Sequence, residues 1–291
     1  MYLSKNSKIV YQGVEGSFSY IVGKKYFGEN NTFAGTKEFK DIFNFISRKS
    51  MDYGVIPIEN SLAGSVYENY DLLNKHKKIK IIGEAYLKIE HHLMIPGICG
   101  KSLKPVKKVL SHAKALEQCT GFFNNYPSIE KVVHFDTAAA AKYISSHGDC
   151  SMAAIASKEA SQIYNLKIIS KNIEDNPLNF TRFLLIDSKQ KTISSDKEPD
   201  KSSLIFRLPH FPGSLYHALE VFFRHELNLS KIESRPIHGK PFEYLFYIDL
   251  DFEGRKISEI KEIIEEFKAR TAYLRILGFY NSQKNISFLT K

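Results

Sequence analysis

Residues 188–203 read SKQKTISSDKEPDKSS, and how this stretch is taken decides the fold. It holds a single aliphatic residue, Ile193, in an otherwise polar and charged run. Such a composition cannot bury enough apolar surface to offset the entropy of ordering it, so it reads as a linker. The chain then divides into a larger part, 1–187, and a smaller part, 204–291, in line with the two domains that 291 residues favour.

Downstream of the linker the periods are clear. SSLIFRL is a short strand, and PGSLYHALEVFFRHEL sets Leu215, Leu219, Phe222 and Phe223 at helical spacing, with Pro212 near its start. LSKIESRP is a strand, and FEYLFYIDL alternates through Phe242, Tyr244, Phe246, Ile248 and Leu250. KISEIKEIIEEFKAR returns to the helical period through Ile257, Ile260, Ile264 and Phe267, and AYLRILG closes as a strand. The order β-α-β-β-α-β predicts a ferredoxin-like module, a fold that names no function by itself.

Upstream, strand and helix alternate. KIVYQG precedes one helix, MDYGVIPI precedes SLAGSVYENYDLL, and KKVLSH precedes AKALEQCTGFF. KVVHFD then leads into TAAAAKYI, and SMAAIA into SKEASQIYNL. The pattern predicts an α/β domain with mainly parallel sheets. The long β-rich stretch IKIIGEAYLKIEHHLMIP places a crossover between two lobes near 79–95, with a return near 167–187.

The net charge is +9, but the lysines are scattered rather than gathered into one stripe, which argues against a nucleic-acid footprint. No run approaches the roughly 18 apolar residues of a membrane span, and no signal-peptide pattern opens the chain. Cys99, Cys119 and Cys150 show no paired spacing, so free thiols in a reducing cytoplasm are expected, without a zinc site. His91 and His92 lack ligand-spaced companions and read as strand-edge histidines.

Polar residues gather where strands end: Gly16, Ser17 and Ser19; Glu59, Asn60 and Ser61; Ser111 and His112; Asp136 and Thr137. Each set is an ordinary helix cap on its own. Together they also suit a small anion held outside the carboxyl ends of an α/β sheet. Thr181 and Arg182 stand at the mouth of the apolar run Phe183–Ile186, where a hydroxyl can donate to a leaving oxygen and a guanidinium can clamp a carboxylate.

These residues carry a resemblance. YQGVEGSFS, GVIPIENSLAGSV, SHAKALEQC, AAIASKEAS and above all NFTRFLLI are similar to the catalytic domain of the prephenate dehydratase family. PGSLYHAL and KIESRP resemble the ACT regulatory domain that follows it in that family. The resemblance implies a bilobal, type II periplasmic-binding-protein-like catalytic domain with its site in the cleft, followed by a ferredoxin-like βαββαβ ACT domain. The implied enzyme is a carbon–oxygen lyase converting prephenate to phenylpyruvate, water and carbon dioxide. Aromatisation drives such a step, so neither cofactor nor metal is expected.

Carried over by motif, Thr181, Glu59, Asn60, Ser111 and Gln118 are the implied catalytic residues, with Glu59 the expected ultimate proton source. Ser17, Ser61, Arg182 and Phe183 are implied to bind substrate. Gly213, Ser214, Leu215, Glu233, Ser234, Arg235 and Pro236 are implied to hold L-phenylalanine as an allosteric effector, in a cytoplasmic homodimer or homotetramer. Ser17 replaces a common threonine, SHAKAL replaces SHPQAL, and Tyr216 stands where an aliphatic is common. The first strand lies so near residue 1 that no chorismate mutase domain is expected ahead of it. Arogenate, the aminated analogue, is the rival substrate, and a silent phenylalanine sensor is the rival class.

Overall fold

The computed structural model describes residues 6–188, 198–237 and 239–282. They form two compact units, one of residues 6–76 and 85–185, the other of residues 77–84 and 186–282. The chain runs β1 (Lys8–Gln12), α1 (Phe18–Phe27), β2 (Thr32–Thr36), α2 (Phe39–Ser47), β3 (Tyr53–Asn60), β4 (Gly64–Ser65), α3 (Tyr67–Lys75), β5 (Lys80–Lys88) and β6 (His92–Pro96). It continues through β7 (Lys108–His112), α4 (Ala113–Glu117), α5 (Thr120–Asn125), β8 (Glu130–His134), α6 (Thr137–His147), β9 (Met152–Ala156), α7 (Lys158–Ile163), β10 (Leu166–Ser170) and β11 (Phe180–Asp187).

One sheet has the order β2-β1-β3-β11-β5, with β4 folded back on β3, and a second has the order β10-β6-β9-β7-β8. In β1 the residues Ile9, Val10 and Tyr11 are all buried, as a strand covered on both faces requires. Its neighbours β2 and β3 run parallel to it. The second sheet is mixed rather than mainly parallel: β7 is parallel to β8 and β9, whereas β6 is antiparallel to β9 and β10. In the second sheet, the alanines Ala138, Ala140 and Ala141 of α6 lie in one core with Ala154, Ala156, Leu110 and Met94. Small side chains there let the helix lie close on the strands.

Short-range differences from the sequence pattern have local causes. The helix expected from Ser61 starts only at Tyr67, because Gly64 takes φ +79° and the chain first makes the β3–β4 reversal. The pattern assigned no element to β2 or α2, whose Ile42, Phe43 and Ile46 are fully buried. Cys99 and Cys150 are joined in a disulfide across 51 residues, against the expectation of free thiols, while Cys119 stays free and buried. Pairing between positions so distant depends on tertiary placement, to which local spacing is blind.

The smaller unit carries β12 (Lys201–Arg207), α8 (Ser214–Arg224), β13 (Asn228–Pro236), β14 (Tyr244–Asp251), α9 (Ile257–Lys268) and β15 (Tyr273–Tyr280). The sheet order β13-β14-β12-β15, with every pairing antiparallel, is the ferredoxin-like arrangement. Its core joins Leu204, Phe206, Phe222, Ile248, Leu250, Ile264 and Phe267. Phe223, expected in that core, is 81% exposed instead, because the inward stripe of α8 passes through Ala218, Val221 and Phe222.

Residues 189–197 of the expected linker lie outside the described residues, but its last three, Lys201, Ser202 and Ser203, are buried in β12. They are polar and yet buried because each has a partner. Lys201 Nζ lies 3.3 Å from Glu84 and 3.7 Å from Asp251. The Ser202 hydroxyl donates to the Gly278 carbonyl at 2.9 Å, and Ser203 bonds both Asp249 and Tyr280.

Lys201→Met removes this cation from Glu84, whose side chain is 1% exposed. Loss of one member of a buried pair costs about 3–5 kcal/mol, read as a lowered denaturant midpoint; a loss below about 1 kcal/mol would show that the carboxylate is relieved elsewhere. The cysteine arrangement predicts one titratable thiol per chain, Cys119, when protein kept from reductant is unfolded, and three after reduction.

Candidate active site

Within the larger unit, a cavity of about 420 Å³ is walled by the carboxyl ends of strands and the starts of helices. Gln12 ends β1, and Ser17 caps α1, its hydroxyl accepting from the Tyr20 amide at 3.3 Å. Gly13 between them has φ +103°, and a Cβ there would sit 2.8 Å from a carboxylate oxygen of Asp136. Only glycine lets the first loop pass so close to the start of α6. Pro57 and Asn60 come from β3, His91 from the crossing to β6, His112 and Gln118 from the α4 region, and Thr181 and Phe183 from β11.

A directed chain of hydrogen bonds runs behind this wall. The Asn60 carbonyl Oδ1 accepts from the backbone N–H groups of Leu62 (3.0 Å) and Ala63 (2.8 Å), which fixes its amide. Its Nδ2 therefore donates to Thr181 Oγ1 at 2.9 Å and to Asn179 Oδ1 at 2.7 Å. Asn179, fully buried, passes the direction on, with its Nδ2 donating to Gln118 Oε1 at 3.0 Å. His91 Nε2 meets the same Gln118 oxygen at 3.0 Å. Two consequences follow from donor counting. The Thr181 oxygen accepts from Asn60, which occupies one of its two lone pairs and leaves its proton available for donation. The Gln118 carbonyl is taken, so its NH2 is left as a donor.

Around these donors the charge is mixed. Lys114, paired with Glu117 at 2.8 Å, and the N-terminus of α1 offer positive potential. His91 and His112 have their pKa values lowered, chiefly by burial, which favours neutral rings. Asp136, the one acidic residue lining the cavity among the described residues, is 8% exposed. Burial pushes its carboxyl above the usual range, against the opposing pull of backbone N–H groups such as that of Val14 at 3.2 Å.

The sequence-derived candidates separate into wall and brace. Ser17, Asn60, Gln118, Thr181 and Phe183 line the cavity. Ser61 lies off the wall, its hydroxyl donating to the Leu178 carbonyl and accepting from the Phe180 amide, both at 2.9 Å, so it ties β3 to β11. Ser111 is fully buried and donates to the Ile155 carbonyl at 2.6 Å, tying β7 to β9. Glu59 and Arg182 are not on the wall either; Glu59 sits opposite Ser65 in the β3–β4 pair, and Arg182 is buried in β11. Sequence reasoning missed Asn179, His91 and Lys114 as site residues. For Asn179 a signal existed: it stands two residues before Thr181, on the same side of an extended chain.

The amino-acid sequence matches the family described as prephenate dehydratase over residues 9–191. An Arabidopsis thaliana protein named arogenate dehydratase/prephenate dehydratase 1 is 36% identical over 94% of this chain and 71% of its own. The prephenate dehydratase of Arthrobacter aurescens, solved in complex with L-Phe, superposes with a TM-score of 0.83 at 26% identity, over 94% of this chain and 89% of its own. A structure described as a quorum quenching acylase has a TM-score of 0.84 at 25% identity, over 95% of this chain and 98% of its own. The family match takes in every residue of the directed hydrogen-bond chain, from His91 to Thr181, and on that extent this chain belongs to the prephenate dehydratase family.

Proposed function

We propose that this chain removes carbon dioxide and water from prephenate to give phenylpyruvate, with the Thr181 hydroxyl as the donor at the departing oxygen. The observation carrying this reading is the Asn60–Thr181 bond, which holds the threonine oxygen as an acceptor on the cavity wall and leaves its O–H able to donate. Atoms balance without a further reactant apart from one proton. The ring carboxylate leaves as carbon dioxide, its bonding pair enters the ring, and the ring hydroxyl departs with a proton as water. The ring becomes aromatic, which drives the step. Thr181 is a weak acid and acts by holding the leaving oxygen and relaying a proton, while Gln118, Lys114 and the N-terminus of α1 hold the carboxylates. Ser61, Ser111 and Arg182 brace these positions. Glu59 is given no part in proton delivery, since it does not line the cavity.

A second substrate, arogenate, is favoured by one feature. Asp136 opposes a second carboxylate but would suit an ammonium group at the same place. Relative turnover of the two substrates decides the order.

The smaller unit is proposed to be an ACT regulatory domain that binds L-phenylalanine. Gly213 adopts φ +81° at the start of α8, and Ser214 and Leu215 line a pocket of about 520 Å³ with Arg207 and Phe246. Glu233, Ser234, Arg235 and Pro236 lie on β13, at the edge of the sheet and outside that pocket. Phe223 (81% exposed), Tyr216 (71%) and Ile232 (48%) leave α8 and β13 apolar on the surface, which supports a homodimer or homotetramer formed through this unit. Among the described residues no helix is long and apolar enough to cross a membrane. The reading places the enzyme in the cytoplasm. The Cys99–Cys150 bond is at odds with a reducing compartment, and the thiol titration bears on that point.

Purified protein is expected to form phenylpyruvate from prephenate, detected as its enolate in alkali. Thr181→Ala should lower kcat by about 10²–10⁴-fold, the range for loss of a positioned proton donor, with Thr181→Ser within about tenfold of the native rate. Glu59→Gln should stay near native; a collapse there with Thr181→Ala still active would reverse the two roles. L-phenylalanine should suppress the native rate, and Gly213→Val, which forces a β-branched residue to φ +81°, should abolish the suppression while leaving turnover without effector unchanged.

A further inference from the structure

We infer that His91 is a positioning residue for this reaction: its Nε2–H locks the Gln118 amide so that the Gln118 NH2 faces the cavity, closing the hydrogen-bond chain that holds Thr181 as a donor. The inference rests on the proposed dehydratase reading and adds to it the group that terminates the chain.

The direction of the chain is set at its far end. Leu62 and Ala63 donate to Asn60 Oδ1, so Asn60 donates to Asn179, and Asn179 donates to Gln118. A flipped Gln118 would point its NH2 at the NH2 of Asn179, a donor-to-donor clash. Gln118 Oε1 must therefore face His91, and His91 must answer with Nε2–H, leaving Nδ1 without its proton. His91 Nδ1 is buried and has no hydrogen-bond partner among the described residues. Buried polar atoms are nearly always satisfied, so an orphan nitrogen calls for an explanation. A histidine kept only for packing gains nothing from that nitrogen. The explanation offered is that the ring is held for its other end.

The surroundings keep the ring neutral and still. His91 is 2% exposed, its backbone N–H donates to Glu174 at 2.9 Å, and its ring meets Phe18 edge-on at 6.0 Å between centroids. Its pKa is lowered, with burial as the largest cause. A phenylalanine at 91 would keep the packing and lose the donor. Gln118 Oε1 would then keep only the Asn179 bond, and its NH2 would sample more directions.

The test has one arm that does not use activity. Nitrogen-15 NMR of the histidine rings in the whole protein should show His91 neutral and protonated at Nε2. The Nδ1–H tautomer, or a cation at neutral pH, would overturn the inference. In the second arm, His91→Phe should lower kcat about 10–100-fold with KM within about threefold, as expected when the carboxylate that Gln118 holds loses alignment for the reaction rather than ground-state affinity. His91→Gln, which restores an N–H donor, should recover most of the loss. In the His91→Phe background, Gln118→Ala should cost much less than it does in the native protein, since the two act as a unit. Full additivity, an unchanged kcat in His91→Phe, or a stable His91→Gln protein without rescue would each overturn the proposal. Absence of phenylpyruvate with the native enzyme would instead count against the dehydratase reading, while the tautomer arm still judges the chain.

Discussion

Asn60 can turn its amide only one way. Two backbone N–H groups of the following turn claim its oxygen, and everything its nitrogen touches inherits that choice. A bond to Thr181 joins β3 to β11 in the first sheet, and a bond to Asn179 leads on to Gln118 beyond β7 of the second. A side chain reaching two elements at once sets the spacing of both. Preorganisation here is a matter of counting donors and acceptors rather than of one strong contact. Neither Asn60, Asn179 nor Gln118 can flip its amide without setting two donors or two acceptors face to face, each a cost of about 1–3 kcal/mol when buried.

The same counting separates wall from brace. Ser61, Ser111 and Arg182 looked like Thr181 in the sequence, because all are polar residues at or near strand ends. Which way such a residue points depends on strand parity, and parity is invisible until the register is known. Thr181 and Phe183 share one side of β11 and line the cavity, whereas Arg182 between them does not. The braces still matter to the chemistry. The Ser61 hydroxyl accepts from the amide directly before Thr181, and Ser111 holds the strand that ends beside His112.

Much of the fold was legible. The helical and two-residue periods after residue 204 located every element of the smaller unit, since most residues of each period lie in one core, Phe223 and Phe242 being exposed exceptions. The strand–helix alternation before residue 187 gave the α/β character. What failed depended on partners distant in sequence. Lys201 read as linker on composition, while Ser202 and Ser203 were counted both in the linker and in the strand SSLIFRL; the groups that satisfy all three come from Glu84, Gly278, Asp249 and Tyr280. The Cys99–Cys150 bond has the same origin. His91 was dismissed because its neighbours in sequence are not ligands, while its partner, Gln118, lies 27 residues on.

Asp136 shows where site and stability pull apart. A carboxyl whose proton affinity rises on folding is unfavourable to the fold when ionised, so this group costs stability at neutral pH and ceases to do so as pH falls through its raised pKa. Part of the cost is offset by the N–H of Val14, and the rest is carried at the cavity wall. A neutral apolar residue would spare the fold that cost but would give up the bond from the Val14 N–H. Asp136 stands beside the N-terminus of α1, since a Cβ on Gly13 would lie 2.8 Å both from its carboxylate oxygen and from the Cβ of the cap residue Ser17; when ionised it therefore opposes an anion at that dipole. On the proposed reading, a substrate group that approaches α1 and α6 together meets an attractive dipole and an opposing carboxyl at once, and an ammonium relieves the second, so prephenate and arogenate would be told apart at this wall rather than at Thr181.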